Sequence, residues 1–467
     1  MNLTPRPESG PDGTRRPAPG SGPQPGAVHP RIVAGTRAFA GVAGTPPALH
    51  LAVSDLADLT AERPWQADRQ AFGTSWQGPE EARRAALGEA VERFCNATAP
   101  DIDRVTYGSY RELRRRGRPA LDPRELILYS ERQYATPGFP FLPFGPDSPA
   151  HWVEGRVAGT GEPVQVPAFL VYTAWCRMPR RHPEPLYAFP AIGGIAAGPD
   201  LELALLSGLE EVIERDAVAV WWANAHPVPA LQPTERLSAL LGPAARDYEI
   251  RLAHLDNEFA VPVLAAGVRS RAEGWLAYGF AARADPAEAA AKALAEAFTL
   301  QITSRTLDRR AAAPAPRGRP SPLKSWRADR RYLDDYRADS SDVVELLCHQ
   351  QLYLDRRAGD RVAGWAWDLP PGDWSQVPAL PRRGADILLS QAGSAGRRVI
   401  VVDLTTPEAR ASGMSAVRVL VPGTVGAAPA AYPALGGRRL QDTAVRLGWR
   451  ERPLHEHLLN NFPLPHS

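Results

Sequence analysis

Long amphipathic stretches alternating with short β-rich runs predict a mixed α/β fold in which β-sheets are flanked by long helices. Helical spacing of apolar residues marks ARRAALGEAVERFCNA (82–97), LELALLSGLEEVIERDAVAVWW (201–222) and DPAEAAAKALAEAFTLQITSR (285–305). The last of these opens on Asp285 as N-cap with Pro286 at the first helical position. LHLAVSDLADL (49–59) also carries its apolar residues at helical spacing and is expected to be a helix. PVQVPAFLVYTAW (163–175) reads as a strand near a sheet edge, because a proline stands on either side of Val-Gln-Val. PVLAAGVRS (262–270) and GWLAYGFAA (274–282) read as a β-hairpin, and RRVIVVDL (397–404) and AVRVLVP (416–422) as two further strands. A glycine-rich turn with Gly193, Gly194 and Gly198 leads into the second long helix. It either lets backbone amides approach a phosphate at the helix N-terminus or makes a tight turn.

Residues 1–30 are dense in Pro, Gly, Ser and Arg and are expected to form a disordered tail, and AAAPAPRGRPSP (311–322) a surface loop. The remaining 31–467 form the globular domain, with an N-terminal subregion 31–185 and a C-terminal subregion 186–467. The 54 basic and 52 acidic residues nearly cancel, leaving no strong field for nucleic acid or an anionic membrane. No apolar run approaches the roughly 18 residues of a membrane span, and the N-terminus lacks the apolar core of a signal peptide. Cys95, Cys176 and Cys348 are too scattered for a disulfide framework or a metal spacing, so reduced thiols, with Cys95 and Cys176 buried, and a cytoplasmic location are expected.

One feature recurs on the three long helices. LGEAVER carries Glu89, Glu92 and Arg93; LEEVIER carries Glu211, Glu214 and Arg215; AEAFTLQITSR carries Glu296, Gln301 and Arg305. Positions i, i+3 and i+4 share a helix face, so each ExxER unit projects two carboxylates and a guanidinium from one patch. A single such unit is an ordinary solvated pair. Two of them, set among Ala, Leu, Val and Ile, place charge where it needs partners. Carboxylates from several helices converging on magnesium, with Arg and Gln on phosphates, would satisfy them, and the sequence has no Walker loop to do so. His455 and His457 read as surface residues, and Trp221 and Trp222 as core.

These segments resemble the YcaO family over roughly residues 45–467. Ala86-x-x-Glu89-x-x-Glu92-Arg93 is similar to its SxxExxER element, with alanine for serine. GGIAAGPDLELALLSGLEEVIERD resembles its glycine-rich approach and second acidic helix, and Gln301-Ile-Thr-Ser-Arg305 its QxxxR element. VVDLTTPEARASGMSAVRVLVPG and LGGRRL resemble the azoline-forming D-protein branch. The resemblance implies a YcaO-type fold carrying a non-Walker ATP and magnesium site. It implies an ATP-dependent cyclodehydratase that activates backbone amides of a ribosomal precursor peptide, so that Cys, Ser or Thr side chains close thiazoline or oxazoline rings. Glu89, Glu92, Glu211 and Glu214 would be magnesium ligands, and Arg93, Gln301, Arg305 and Glu296 would bind ATP. The substrate supplies its own nucleophile, and no residue is singled out as catalytic.

Two segments depart from the family pattern. GTSWQGPEEA (73–82) lacks the GKG-like lysine, and the end Asn461-Phe462-Pro463-Leu464-Pro465-His466-Ser467 holds only part of a PxPxP motif. That end is either an ordered part of the site or an unrelated disordered tail. No module resembling a leader-binding domain is recognised, so a separate leader-peptide-binding protein is expected, and a flavin dehydrogenase in the same pathway. The resemblance allows a homodimer. Thioamide or amidine formation on the same site, or a scaffold that does not turn over ATP, are the competing readings.

Overall fold

The computed structural model describes residues 28–190, 193–309 and 321–466. The expected tail lies outside them up to residue 27, as does most of the expected loop at 311–322. The chain opens with β1 (Val33–Phe39), β2 (His50–Leu56) and β3 (Gln70–Ser75), then α1 (Pro79–Asn96). Next come β4 (Thr106–Gly108), β5 (Ala150–Val157), β6 (Pro163–Pro167), β7 (Ile195–Gly198) and α2 (Leu201–Asn224). Then follow β8 (Ala230–Leu231), β9 (Tyr248–His254), β10 (Val263–Ser270), β11 (Leu276–Ala282) and α3 (Pro286–Arg309). Short helices lead to β12 (Ile400–Asp403) and β13 (Ser415–Leu420). The mixed α/β expectation holds.

Three antiparallel sheets result. The first is β1-β2-β3 and the second β11-β10-β9-β8. The third runs β4-β5-β12-β13-β7 with β6 on β5, so it takes strands from both sides of residue 185. Among the described strands β6 pairs with β5 alone, its other side meeting residues 119–121 through Gln165, in keeping with its flanking prolines.

Each long helix follows a strand and packs on that strand's sheet. Glycines set how close the two come. At Gly73 on β3 a side chain would strike the backbone of Ala82 and Ala86 in α1; at Gly279 on β11 it would strike Ala293 and Ala297 in α3. Gly198 gives the same close approach, a Cβ there lying 2.8 Å from Ala204 N in α2. Gly279→Ala should therefore lower stability by about 1–3 kcal/mol, read as a fall in Tm.

The largest apolar cluster surrounds α2, where Leu209, Ile213 and Trp221 meet Tyr278, Phe280 and Trp367. Trp221 is 1% exposed and Trp222 7%, so both are core as expected. Burying each such aromatic removes ~150–250 Å² from water, about 4–6 kcal/mol at ~25 cal/mol/Å².

Two expectations are corrected. Residues 49–59 are not helical but form the central strand β2. Its two faces are both covered, Leu51 packing in one apolar cluster and Leu56 in another, so the apolar residues do not alternate cleanly. Cys176 is exposed, whereas Cys95 and Cys348 are buried. No described helix is long and apolar enough to cross a membrane.

Candidate nucleotide and magnesium site

The three strand–helix units carry their glutamates in the same way. Phe72 N–H donates to Glu89 Oε2 at 2.8 Å, Gly194 N–H to Glu211 Oε2 at 2.9 Å, and Phe280 N–H to Glu296 Oε2 at 2.6 Å. In each case the donor precedes its glutamate by 16 or 17 residues, so the preceding strand segment aims the carboxylate on the helix that follows. Glu92 instead crosses from α1 to β7, accepting the Ala197 N–H at 2.9 Å. Gly194, at φ 89°, spends its N–H on Glu211 and has Val419 O 2.5 Å from where a Cβ would stand. The glycine-rich approach thus serves close packing.

Arg215 is the hub. Its guanidinium lies 3.8 Å from Glu211, 3.4 Å from Glu214 and 3.7 Å from Glu296, joining α2 to α3. α1 enters the same field through Glu92, which feels Glu89 and Glu211. Arg418 on β13 is buried and interacts with Glu211. Lys292, one turn before Glu296, is exposed and within electrostatic reach of Glu92, Glu214 and Glu296.

Acid outweighs base here, and the carboxylates register it. Burial, with Glu89 and Glu211 adding to it against the Ala197 N–H, pushes Glu92 up to about 8. Burial likewise raises Glu214 to about 7, Arg215 opposing and Glu296 and Glu211 reinforcing the shift.

The C-terminal segment completes the site. Tyr278 N–H donates to Pro465 O at 2.7 Å, Tyr353 OH to Pro463 O at 2.8 Å, and Trp222 Nε1–H to Phe462 O at 2.6 Å. His466 is 3% exposed and its Nδ1 lies 3.0 Å from Tyr278 O. A carbonyl only accepts, so Nδ1 carries the proton and Nε2 accepts from Arg215. Burial and Arg215 lower His466 to about 4, which keeps the ring neutral. Of the two readings of this end, the ordered one describes the molecule.

The structure thus gathers Glu89, Glu92, Glu211, Glu214 and Glu296. Arg93 is clamped between Glu89 and Asp68, the latter at 2.6 Å. Gln301 and Arg305 are not brought to the cluster. They stand about 140° and about 180° around α3 from Glu296 and roughly 7 and 13 Å further along it. Gln301 donates to Val268 O at 2.8 Å and Trp275 O at 3.0 Å, tying β10 to the approach to β11. Arg305 holds Gly44 O at 3.2 Å and the Tyr248 hydroxyl at 2.5 Å. Sequence reasoning missed Lys292, Arg418 and His466. The available signals were a lysine one turn before Glu296 in an Ala-rich run and an arginine inside the apolar run Ala-Val-Arg-Val-Leu. His455 and His457 are exposed.

The donor set fits magnesium and a nucleotide. All the clustered donors are carboxylate oxygens, the hard ligands that magnesium takes, and burial raises two of them above the usual carboxylate range. Among the described residues no three His, Cys, Asp or Glu side chains already form a metal cage. Arg215, Arg418 and Lys292 are the cations beside the cluster.

Solved structures share this architecture. A heterocyclase in complex with substrate and cofactor is 23% identical at a TM-score of 0.64, over 93% of this chain and 55% of that one. The heterocyclase TruD is 23% identical at 0.55, over 82% of this chain and 50% of that one. YcaO from Methanopyrus kandleri bound with AMPPCP and Mg2+ is 21% identical at 0.54, over 84% and 86%. These likenesses establish the fold, and the chain spans about half the length of the two heterocyclases. No curated protein matches the chain in sequence. A family model described as YcaO cyclodehydratase, ATP- and Mg2+-binding, matches residues 77–425, most of the sequence, and the chain therefore belongs to the YcaO family.

Proposed function

We propose that this protein is an ATP-dependent peptide cyclodehydratase, closing thiazoline or oxazoline rings in a ribosomal precursor peptide. The observation that carries the reading is the acidic cluster built by three helices: Glu211, Glu214 and Glu296 meet on Arg215, Glu92 joins them through the field of Glu211, and Glu92 and Glu214 are held above the usual carboxylate range. Such a cluster is unfavourable until a cation joins it.

Glu92, Glu211, Glu214 and Glu296 would hold the magnesium and its nucleotide, and Glu89 would keep Arg93 in place beside them. Bound ATP supplies the phosphoryl group that turns a backbone amide oxygen into a leaving group. Arg215 and Arg418 offset negative charge beside the acids, while His466 fixes the direction of Arg215. The attacking thiol or hydroxyl belongs to the substrate, so the protein's part is positioning and charge compensation. Gln301 and Arg305 would act on ATP only through the strands and loop they brace. A precursor peptide is the substrate under this reading, with a separate leader-binding protein and a flavin dehydrogenase as pathway partners.

Calorimetry with the ATP analogue AMPPCP tests the site itself. Binding is expected with magnesium, lost on adding EDTA, and weakened at least tenfold in Glu211→Gln, about 1.4 kcal/mol. Equal affinity with and without magnesium would remove the basis for the proposal.

A further inference from the structure

Beside the glutamate cluster lies an apolar hollow of about 140 Å³, reached by Gly193, Arg215 and Arg418 and walled by Tyr129, Phe189 and Tyr432. A second hollow of about 450 Å³ shares Ile127, Pro422 and Gly423 with the first. Its lining is of another kind. Arg124, Arg397, Arg398, Arg439 and Arg446 face it, against only Glu125 and Asp442.

Carboxylates nearby do not satisfy these arginines equally. Arg439 and Arg446 both bond to Glu258, and Arg439 also to Asp216. Arg398 pairs with Glu125 at 2.7 Å. Arg397 has only a 3.9 Å contact to the already shared Glu258, and its Nε is buried without a hydrogen-bond partner among the described residues. Burial, and then Arg439, lower its affinity for its proton. Gly423 leaves the space its guanidinium occupies, since a side chain there would overlap Arg397 Nη1. A half-buried guanidinium with no carboxylate at close range is left to pair with an anion that enters the cleft.

We infer that this arginine cleft binds the carboxylates of an acidic stretch in the peptide substrate, several residues from the amide being cyclised. The inference rests on the cyclodehydratase reading above. An extended peptide with its reacting amide at the glutamate cluster would lay apolar side chains in the first hollow and reach the arginines through the adjoining one. A cleft of this size falls in the ~300–1,000 Å³ range of ligand pockets and exceeds what a lone phosphate fills. Specificity would then come from two compartments, one apolar and one cationic.

The test uses the full chain and fluorescein-labelled synthetic peptides, read by anisotropy without ATP. One set has a cysteine between apolar residues with a run of Asp and Glu to one side, in both orders; the other has Asn and Gln in their place. The acidic peptide in one of the two orders should bind at least tenfold more tightly than its amide counterpart, and the difference should shrink as salt rises. Arg397→Gln should abolish that preference. So should the exposed pair Arg124→Gln with Arg398→Gln, which guards against a folding defect at the partly buried Arg397. Equal binding of both sets, or a preference that survives in both variants, would overturn the inference. So would displacement of the acidic peptide by equimolar inorganic phosphate, which would assign the cleft to phosphate. The two proposals fail separately. Arginine-dependent binding without ATP-driven water loss leaves the cleft standing and removes the chemistry, and equal kcat/KM on both peptides does the reverse.

Discussion

Removing residues 462–467 is expected to destabilise the protein severely and end its ATP turnover. The segment accepts hydrogen bonds from Trp222, Tyr278 and Tyr353 and bonds to His349, whose Nδ1 lies 3.0 Å from Leu464 O. All four partners are buried. Each orphaned group costs about 1–3 kcal/mol, so the four together approach the ~5–15 kcal/mol that holds a typical domain folded. Water entering the emptied groove would recover part of this. The readouts are soluble yield and Tm. His466→Ala separates structure from function, because it keeps the four bonds and removes the imidazole that accepts from Arg215 and donates to Tyr278 O. That variant should melt below wild type by only the about 1–3 kcal/mol of one orphaned group, far less than the truncation, and turn over ATP at least tenfold more slowly. A truncated protein with unchanged Tm and activity would mean that the segment merely lies against the surface.

Glu214→Gln should abolish turnover and yet stabilise the nucleotide-free protein at alkaline pH. Loss of a preorganised charge at a reacting centre typically costs about 100- to 1,000-fold in kcat. The stability effect has the opposite sign, and linkage fixes it. Glu214 titrates at about 7 in the fold, against roughly 4.3 in an unfolded chain. Between those values the folded state binds more protons than the unfolded one, so stability is fully retained below about pH 4 and falls as pH rises through 7. At pH 8 the penalty is on the order of 3 kcal/mol. Glu92, raised to about 8, extends the decline toward that pH. Wild type without ligand should therefore melt higher at pH 6 than at pH 8, with a smaller gap in Glu214→Gln. Magnesium and AMPPCP should raise the wild-type Tm most at pH 8. A pH-independent Tm difference between the two proteins would show that Glu214 bears no such penalty.

The legible parts of this molecule were those written in local periodicity. α1, α2 and α3 follow from apolar spacing and from acids that recur on one face, and the β10–β11 hairpin from its β-rich halves around Arg271–Glu273. β2 was misread because both its faces are covered, which erases the alternation that marks a half-exposed strand. The glutamates were found because ExxER places them a turn apart. Gln301 and Arg305 matched a motif in spacing, but five and nine residues past Glu296 the helix has turned away from the cluster. Arg418 and His466 come to the site through β13 and the C-terminal segment, contacts spanning 251 residues in the case of Arg215 and His466. Nothing in a linear reading brings those residues together. The way the strand segments before α1, α2 and α3 aim Glu89, Glu211 and Glu296 was hidden for the same reason, since the donors are backbone amides that no residue type announces.

The most direct measurement is the intact mass of a Cys-, Ser- or Thr-containing precursor peptide after incubation with this protein, the leader-binding protein proposed as its partner, magnesium and ATP. Loss of one water per modified residue, dependent on ATP and absent with Glu214→Gln, is the predicted result. A peptide of unchanged mass alongside unconsumed ATP, with every component present, would contradict the account.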